Sequence, residues 1–499
     1  MFRLALLSVF CLRLAAVEVA PALDQIVVSP NKVLRTFTKN PVGININHLV
    51  DADVNRPPGA RSLIEALAEV GVGMLRFPEG ELGDGYLWAI PPFPAHSADA
   101  PQWALRGPGQ WPCNDLRFST ADGQTRPSVM SFDSFMAVSG KLRAVPILIV
   151  AYDSAFKVVA PGCQRPTVDQ LRTSAVEWVR YANRTRGWDV RYWEIGNETD
   201  ITPPAHSGGD PGAARYAADV IDFSTAMKAV DPTIRIGVNI WQVDRWKALL
   251  AIPALGTAID YVSLHNYPSY GWSDGYDRFR TGRPDLVSHL REAEALLAGS
   301  AWSPADRARL EFLVTETNVV DWSTQPWPNV ADLGHALVAI DLIGQTLSVT
   351  RVSSLEFWVT RWLHNDAQQP REVFDAFDRT NHLTPIGHAI GLWGRHIGTT
   401  LVAVRSSTPE VIAYASTTPA TGRLALILLN RTSVVRHVRV QIEGHTRPAV
   451  IAVEQLSGDT PAALTATVDR SSLTGVADGT WTTILPAFSV SALTLNAAP

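Results

Sequence analysis

Two short segments carry the residues best suited to chemistry. Tyr192-Trp193-Glu194-Ile195-Gly196-Asn197-Glu198 and, further along, Leu313-Val314-Thr315-Glu316-Thr317-Asn318 each bring a strand-like apolar run to a glutamate. Two opposed carboxyl groups suit a substrate with an acetal carbon, because one can attack that carbon while the other moves a proton at the leaving oxygen. Cleavage of a glycosidic bond is therefore the expected chemistry, with Glu198 and Glu316 as its carriers.

Such a pair must be held on a rigid frame. From residue 42 to about 360 the chain alternates short β-rich runs with amphipathic helices, the pattern of βα units around a parallel sheet. The candidate strands are 42–47, 74–77, 145–150, 191–195, 234–238, 261–264, 311–314 and 354–357. Eight strands with helices between them predict a (β/α)8 TIM barrel, in which reactive side chains gather at the C-terminal ends of the strands. Glu198 follows the fourth strand and Glu316 ends the seventh, on opposite sides of such a ring. Between them the helix stripes Leu171, Ala175, Trp178, Val179 and Leu63, Leu67, Val70 read as core faces, with Thr167 as an N-cap and Gly71 at a C-terminus.

Other side chains are candidates by position. Arg76, at the end of the second strand, can pair with Glu316 and keep it ionised. Ser263-Leu264-His265-Asn266-Tyr267-Pro268 closes the sixth strand, where a histidine and a phenol could both reach the pair. Indole faces bind sugar rings by apolar contact, so Trp358 after the eighth strand is the leading platform, followed by Trp88, Trp241 and Trp272. Asn45, Asn47 and His48 after the first strand can either bond substrate hydroxyls or build a turn.

Beyond residue 394 the pattern changes to short alternating strands with turns between them, which predicts an antiparallel β-sandwich. The expected organisation is a signal segment at 1–22, an N-terminal strand region at 23–40 joining the sandwich, the barrel at 41–394 and the sandwich at 395–499. Fifteen of the sixteen tryptophans precede residue 395, with only Trp481 beyond, so the aromatic surface belongs to the barrel. The segment 79–140 is long, and its middle is rich in proline and tryptophan.

Composition narrows the partner. The 499 residues carry a net charge of −5 without long runs of one sign, which argues against nucleic acid. No later stretch is apolar enough to span a membrane. Met1-Phe2-Arg3, the apolar run from Leu4 to Ala16 interrupted by Arg13, and Ala20-Pro21-Ala22 together form the pattern of a secretory signal, so a secreted protein is expected. Loss of that signal would remove Cys11 and leave Cys113 and Cys163, either paired or as two free thiols. No His-x-His or HExxH motif occurs, so neither metal nor cofactor is expected. A non-catalytic binding barrel would keep aromatics and lose a carboxylate, yet both are present.

The run Trp193-Glu194-Ile195-Gly196-Asn197-Glu198 resembles the acid/base signature of the clan A retaining glycoside hydrolases, families 51, 39 and 79 in particular. The resemblance implies a (β/α)8 barrel, Glu198 as general acid/base, Glu316 as nucleophile and Asn197 as ligand of the sugar 2-hydroxyl. It also implies that Arg76 holds the nucleophile ionised, that Tyr267 donates to it and that His265 lines the acid/base side. Two departures concern the substrate. Family 51 members usually have Arg-Tyr-Pro-Gly-Gly-Asn where this chain has Arg76-Phe77-Pro78-Glu79-Gly80-Glu81, and their nucleophile is followed by Trp-Asn where Glu316 precedes Thr317-Asn318, closer to family 79. The expectation is an α-L-arabinofuranosidase-like activity on plant polysaccharide, with a β-glucuronidase or an endo-glycanase as the alternative.

Overall fold

The computed structural model describes residues 23–80, 83, 86, 88, 128–156, 165–201, 211–320, 327–328, 330–362, 375–444, 449–476 and 479–497. The expected signal segment, Cys113, Cys163 and most of the proline- and tryptophan-rich segment lie outside these residues.

After β1 (Asp24–Thr36), eight parallel strands close into a barrel: β2 (Val42–Asn45), β3 (Met74–Phe77), β4 (Val145–Val150), β5 (Tyr192–Ile195), β6 (Arg235–Ile240), β7 (Tyr261–Asn266), β8 (Glu311–Thr317) and β9 (Val352–Phe357). The first strand ends two residues earlier than expected because Asn47 turns the chain, its N–H reaching Asp51 at 2.9 Å. The strands β6, β7 and β8 run two or three residues further than expected, since their polar ends are paired inside the barrel rather than exposed in loops.

Residue alternation sorts each barrel strand into two faces. In β5, Trp193 and Ile195 pack outward on the helices while Tyr192 and Glu194 point into the barrel. The interior is layered. Met74, Val145, Ile147, Tyr261 and Leu313 form an apolar plug at its lower end, with Tyr192 against it. Gly237 is required there, since a Cβ would stand 2.2 Å from the Tyr261 ring. Above the plug lies a polar layer built on Arg76, Glu194, Asn239 and Ser263, and the candidate site sits on that layer.

The outer helices start and stop where their sequence dictates. Thr167 caps the helix Val168–Val179 in a capping box with Gln170, and Gly71 ends the helix Leu63–Val70 at φ 73°.

The remaining strands are β10 (Thr400–Ser406), β11 (Val411–Thr418), β12 (Arg423–Asn430), β13 (Arg436–Ile442), β14 (Ala449–Ser457), β15 (Thr467–Val476), β16 (Thr480–Leu485) and β17 (Ser489–Ala497). With β1 they make one nine-stranded sheet in the order β15-β14-β17-β12-β11-β10-β1-β13-β16. All pairings are antiparallel except β1 with β13. The sheet curls so that β16 meets β12 and β17, enclosing a core of Val28, Leu426, Val440, Trp481 and Leu493. Its opposite face, with Ile427, Leu429 and Val490, joins the main core shared with the barrel helices.

Candidate active site

Arg76 stands at the centre of the polar layer and is wholly buried. Its Nε and Nη2 each donate to Glu194 at 3.0 Å, its Nη1 donates to Asn45 at 3.0 Å and Glu316 at 2.8 Å, and its Nη2 donates also to Asn197 at 2.7 Å. A guanidinium has five N–H donors, and all five are used. Burying such a charge is tolerable only with this degree of pairing.

Glu316 is held from both oxygens. Oε1 accepts from Arg76, and Oε2 accepts from the Tyr267 hydroxyl at 2.8 Å. Burial alone would push this carboxyl up, but His265 and Arg76 beside it and the hydrogen bonds from Arg76 and Tyr267 outweigh it and hold the group below the ordinary carboxylate range. Gly80 closes the floor, and a Cβ there would lie 2.4 Å from Glu316 Oε1.

Glu198 differs in each respect. It follows β5 through Gly196, at φ 77°, and itself adopts φ 52°. A Cβ at Gly196 would stand 2.5 Å from Thr199 and 2.8 Å from the Asp153 carboxylate, so only glycine lets the chain turn there. The Glu198 N–H is fixed by Asn239 Oδ1 at 2.6 Å, and its side chain, 23% exposed, opens to the barrel mouth. Burial raises its pKa, the Glu316 charge adds to that, and His265 partly opposes it.

His265 sits between the two carboxyl groups, with Nδ1 at 2.7 Å from Glu198 Oε1 and 3.4 Å from Glu316 Oε2. One polar atom from each of the three residues falls within 4.8 Å of the others. Among the described residues no other such group has atoms suited to a cation, but Arg76 and Tyr267 already occupy both oxygens of Glu316, so the donor set suits a cation poorly.

An aromatic wall flanks the pair. Trp241 lies 5.8 Å from the Tyr267 ring and 6.3 Å from His265, Tyr267 lies 6.4 Å from Trp358, and Trp358 lies 4.5 Å from Trp362. The peptide Trp358-Val359 is cis.

The structure thus brings Glu198, Glu316, Asn197, Arg76, His265, Tyr267, Trp358 and Trp241 to one end of the barrel. Asn47 stays apart: it is fully buried, its Nδ2 donates to the Arg361 carbonyl at 2.9 Å, and its Oδ1 accepts from the Leu49 N–H at 3.1 Å within its own turn. Asn45 braces Arg76 from below. Trp88 packs on Trp178 and Tyr181, and Trp272 stacks on Trp327, so both serve packing. Glu194 and Asn239 are site residues that the sequence reading did not single out, although each is a polar residue between apolar neighbours in its strand.

At the level of sequence, no protein-family model and no curated protein matches the chain. Solved structures do match. An α-L-arabinofuranosidase from Thermotoga maritima, in complex with arabinose, aligns with a TM-score of 0.69 at 19% identity over 95% of this chain and 100% of its own. A family 51 α-L-arabinofuranosidase from Thermotoga petrophila gives 0.70 at 18% identity over 94% and 99%. The chain shares the fold of these glycosidases. A family 44 xyloglucanase from Paenibacillus polymyxa aligns with a TM-score of 0.63 at 13% identity, covering 95% of this chain and 99% of its own. At such identities the likeness is one of architecture, extending from the barrel through the nine-stranded sheet.

Proposed function

We propose that the protein is a retaining glycoside hydrolase working by double displacement. The observation that carries this reading is the asymmetry of two carboxyl groups in one mouth: Glu316 held ionised by Arg76 and Tyr267, Glu198 raised and open to solvent. Glu316 attacks the anomeric carbon as Glu198 gives its proton to the departing glycosidic oxygen. Glu198, now a carboxylate, takes a proton from water, which attacks the same carbon, releases Glu316 and restores the starting state. Polar atoms of Glu198 and Glu316 within 4.8 Å support retention, since inversion needs roughly 6.5–9.5 Å between the carboxyl groups to admit a water.

Asn197 has its Oδ1 taken by Arg76, which leaves its Nδ2 to bond a sugar hydroxyl beside the reacting carbon. Trp358 and Trp241 offer the apolar faces on which a sugar ring rests. The substrate we favour is an α-L-arabinofuranoside of plant polysaccharide, supported by the fold shared with arabinofuranosidases along almost the whole chain. We further propose that residues 1–22 direct secretion.

A panel of nitrophenyl glycosides, including α-L-arabinofuranoside, β-D-glucuronide and β-D-xyloside, tests the reading beside Glu198→Ala and Glu316→Ala. Cleavage by the parent and loss of at least about a thousandfold in both variants is expected. Full activity in either variant would remove the assignment.

A further inference from the structure

The side-chain amide of Asn239, on β6, touches four partners at once, and their chemistry fixes which way it points. Oδ1 lies 2.6 Å from the Glu198 N–H, which can only donate, so this atom is the carbonyl oxygen. Nδ2 lies 2.7 Å from Glu194 Oε1, a carboxylate oxygen already bound by Arg76 and so an acceptor. These two contacts assign the amide by chemistry alone. Nδ2 is also 3.0 Å from Ser263 Oγ and 3.1 Å from His265 Nε2. An amide nitrogen has two hydrogens and no lone pair, so these three neighbours share the two hydrogens, and the contact with His265 is attractive only when Nε2 carries the lone pair. The proton of a neutral His265 is then on Nδ1, which lies 2.7 Å from Glu198 Oε1.

We propose that Asn239 is a positioning residue that holds His265 as the Nδ1–H tautomer and thereby confines the acidic proton of Glu198 to its other oxygen, Oε2. The proposal rests on Glu198 being the acid/base. With Oε1 accepting from His265, the proton that Glu198 delivers resides on the oxygen that His265 does not hold. When Glu198 becomes a carboxylate, the same Nδ1–H steadies it without a proton changing hands, so His265 serves as a fixed donor and not as a relay.

The charged and titratable groups around His265 are Glu198 after β5, Glu316 on β8, Arg76 on β3 and Tyr267 after β7, with Glu194 beyond Asn239. Burial and Arg76 disfavour an imidazolium, but Glu316 and Glu198 outweigh them and raise the pKa of the ring. An imidazolium would aim its Nε2–H at the Asn239 Nδ2 donors, and this repulsion works against that rise. Without Asn239 the ring is free to take a second proton. A positive charge 2.7 Å from Glu198 then lowers the pKa of the acid.

Two measurements test this. In the intact protein labelled with 15N-histidine, with the His265 signals assigned by their loss in His265→Asn, Nε2 is expected to be unprotonated and Nδ1 protonated at neutral pH. A protonated Nε2 overturns the proposal. In Asn239→Ala the alkaline limb of kcat/KM is expected to move down by about one pH unit, because His265 can now become charged. A lower kcat with an unmoved limb would mark Asn239 as structural only and sink the idea. The first measurement reads the tautomer without any turnover. Failure of the glycosidase reading, seen as a fully active Glu198→Ala, is therefore distinguishable from failure of this one.

Discussion

Arg76 donates to Glu316 at 2.8 Å with the same guanidinium that grips Glu194 through two bonds at 3.0 Å. Glu194 thus anchors the arginine to the barrel wall, and the arginine in turn anchors the carboxylate opposite Glu198. Position and ionisation of Glu316 are set before any ligand arrives, which is the preorganisation that lowers a barrier most effectively.

Arg76→Met removes the cation and leaves Glu194 and Glu316 buried without it. Breaking a buried ion pair from one side costs about 3–5 kcal/mol, so the urea midpoint should fall sharply at neutral pH. An unchanged midpoint would show that the pairing is not needed for the fold.

Tyr267→Phe deletes one hydrogen bond to Glu316 and leaves the ring in place. Glu316 loses part of what holds its pKa down, so the acidic limb of kcat/KM should move up by about one pH unit. A limb that stays where it was would mean that Tyr267 does not govern the ionisation of Glu316.

Gly80→Ala would place a methyl 2.4 Å from Glu316 Oε1. The carboxylate must then leave its Arg76 and Tyr267 partners, and kcat should drop roughly a hundredfold or more while overpacking costs about 1–3 kcal/mol of stability. Parental kcat in this variant would contradict the geometry at the floor of the site.

Glu356, on β9, lies wholly inside the barrel, and burial pushes its carboxyl up to about 8. The folded state therefore holds a proton that the unfolded chain releases near 4.5. For an acid raised in this way, stability falls as pH rises from the unfolded value toward the folded one. Glu356→Gln should remove that decline and raise Tm at pH 8 more than at pH 5. An equal change at both would show that Glu356 does not titrate on unfolding.

The barrel was legible in the sequence because its short strands alternate with helices, and some of those helices show an explicit apolar stripe and cap, as in Thr167 with Gln170 before Leu171 and Ala175. The antiparallel strand region beyond residue 394 was legible from its turns. The order of the nine-stranded sheet, with β1 between β10 and β13 in a mixed pairing, was not, because strand pattern records which face is buried and not which neighbour is chosen. Arg76, Tyr267 and His265 stand at strand ends, where polar residues draw notice. Glu194 and Asn239 are hidden within β5 and β6, and only closure of the barrel explains why strands so apolar carry them. Asn47 misled for the converse reason: an asparagine after a strand serves a turn as readily as a ligand, and here Leu49 and Arg361 take both ends of its amide.

The central claim is that Glu316 forms a covalent glycosyl intermediate which Glu198 helps water to resolve. It is tested most directly by the anomeric configuration of the first-formed sugar, followed by proton NMR during hydrolysis of the best aryl glycoside in the panel. The account predicts that the product appears with the configuration of the substrate and mutarotates only afterwards. A first-formed product of opposite configuration would contradict it.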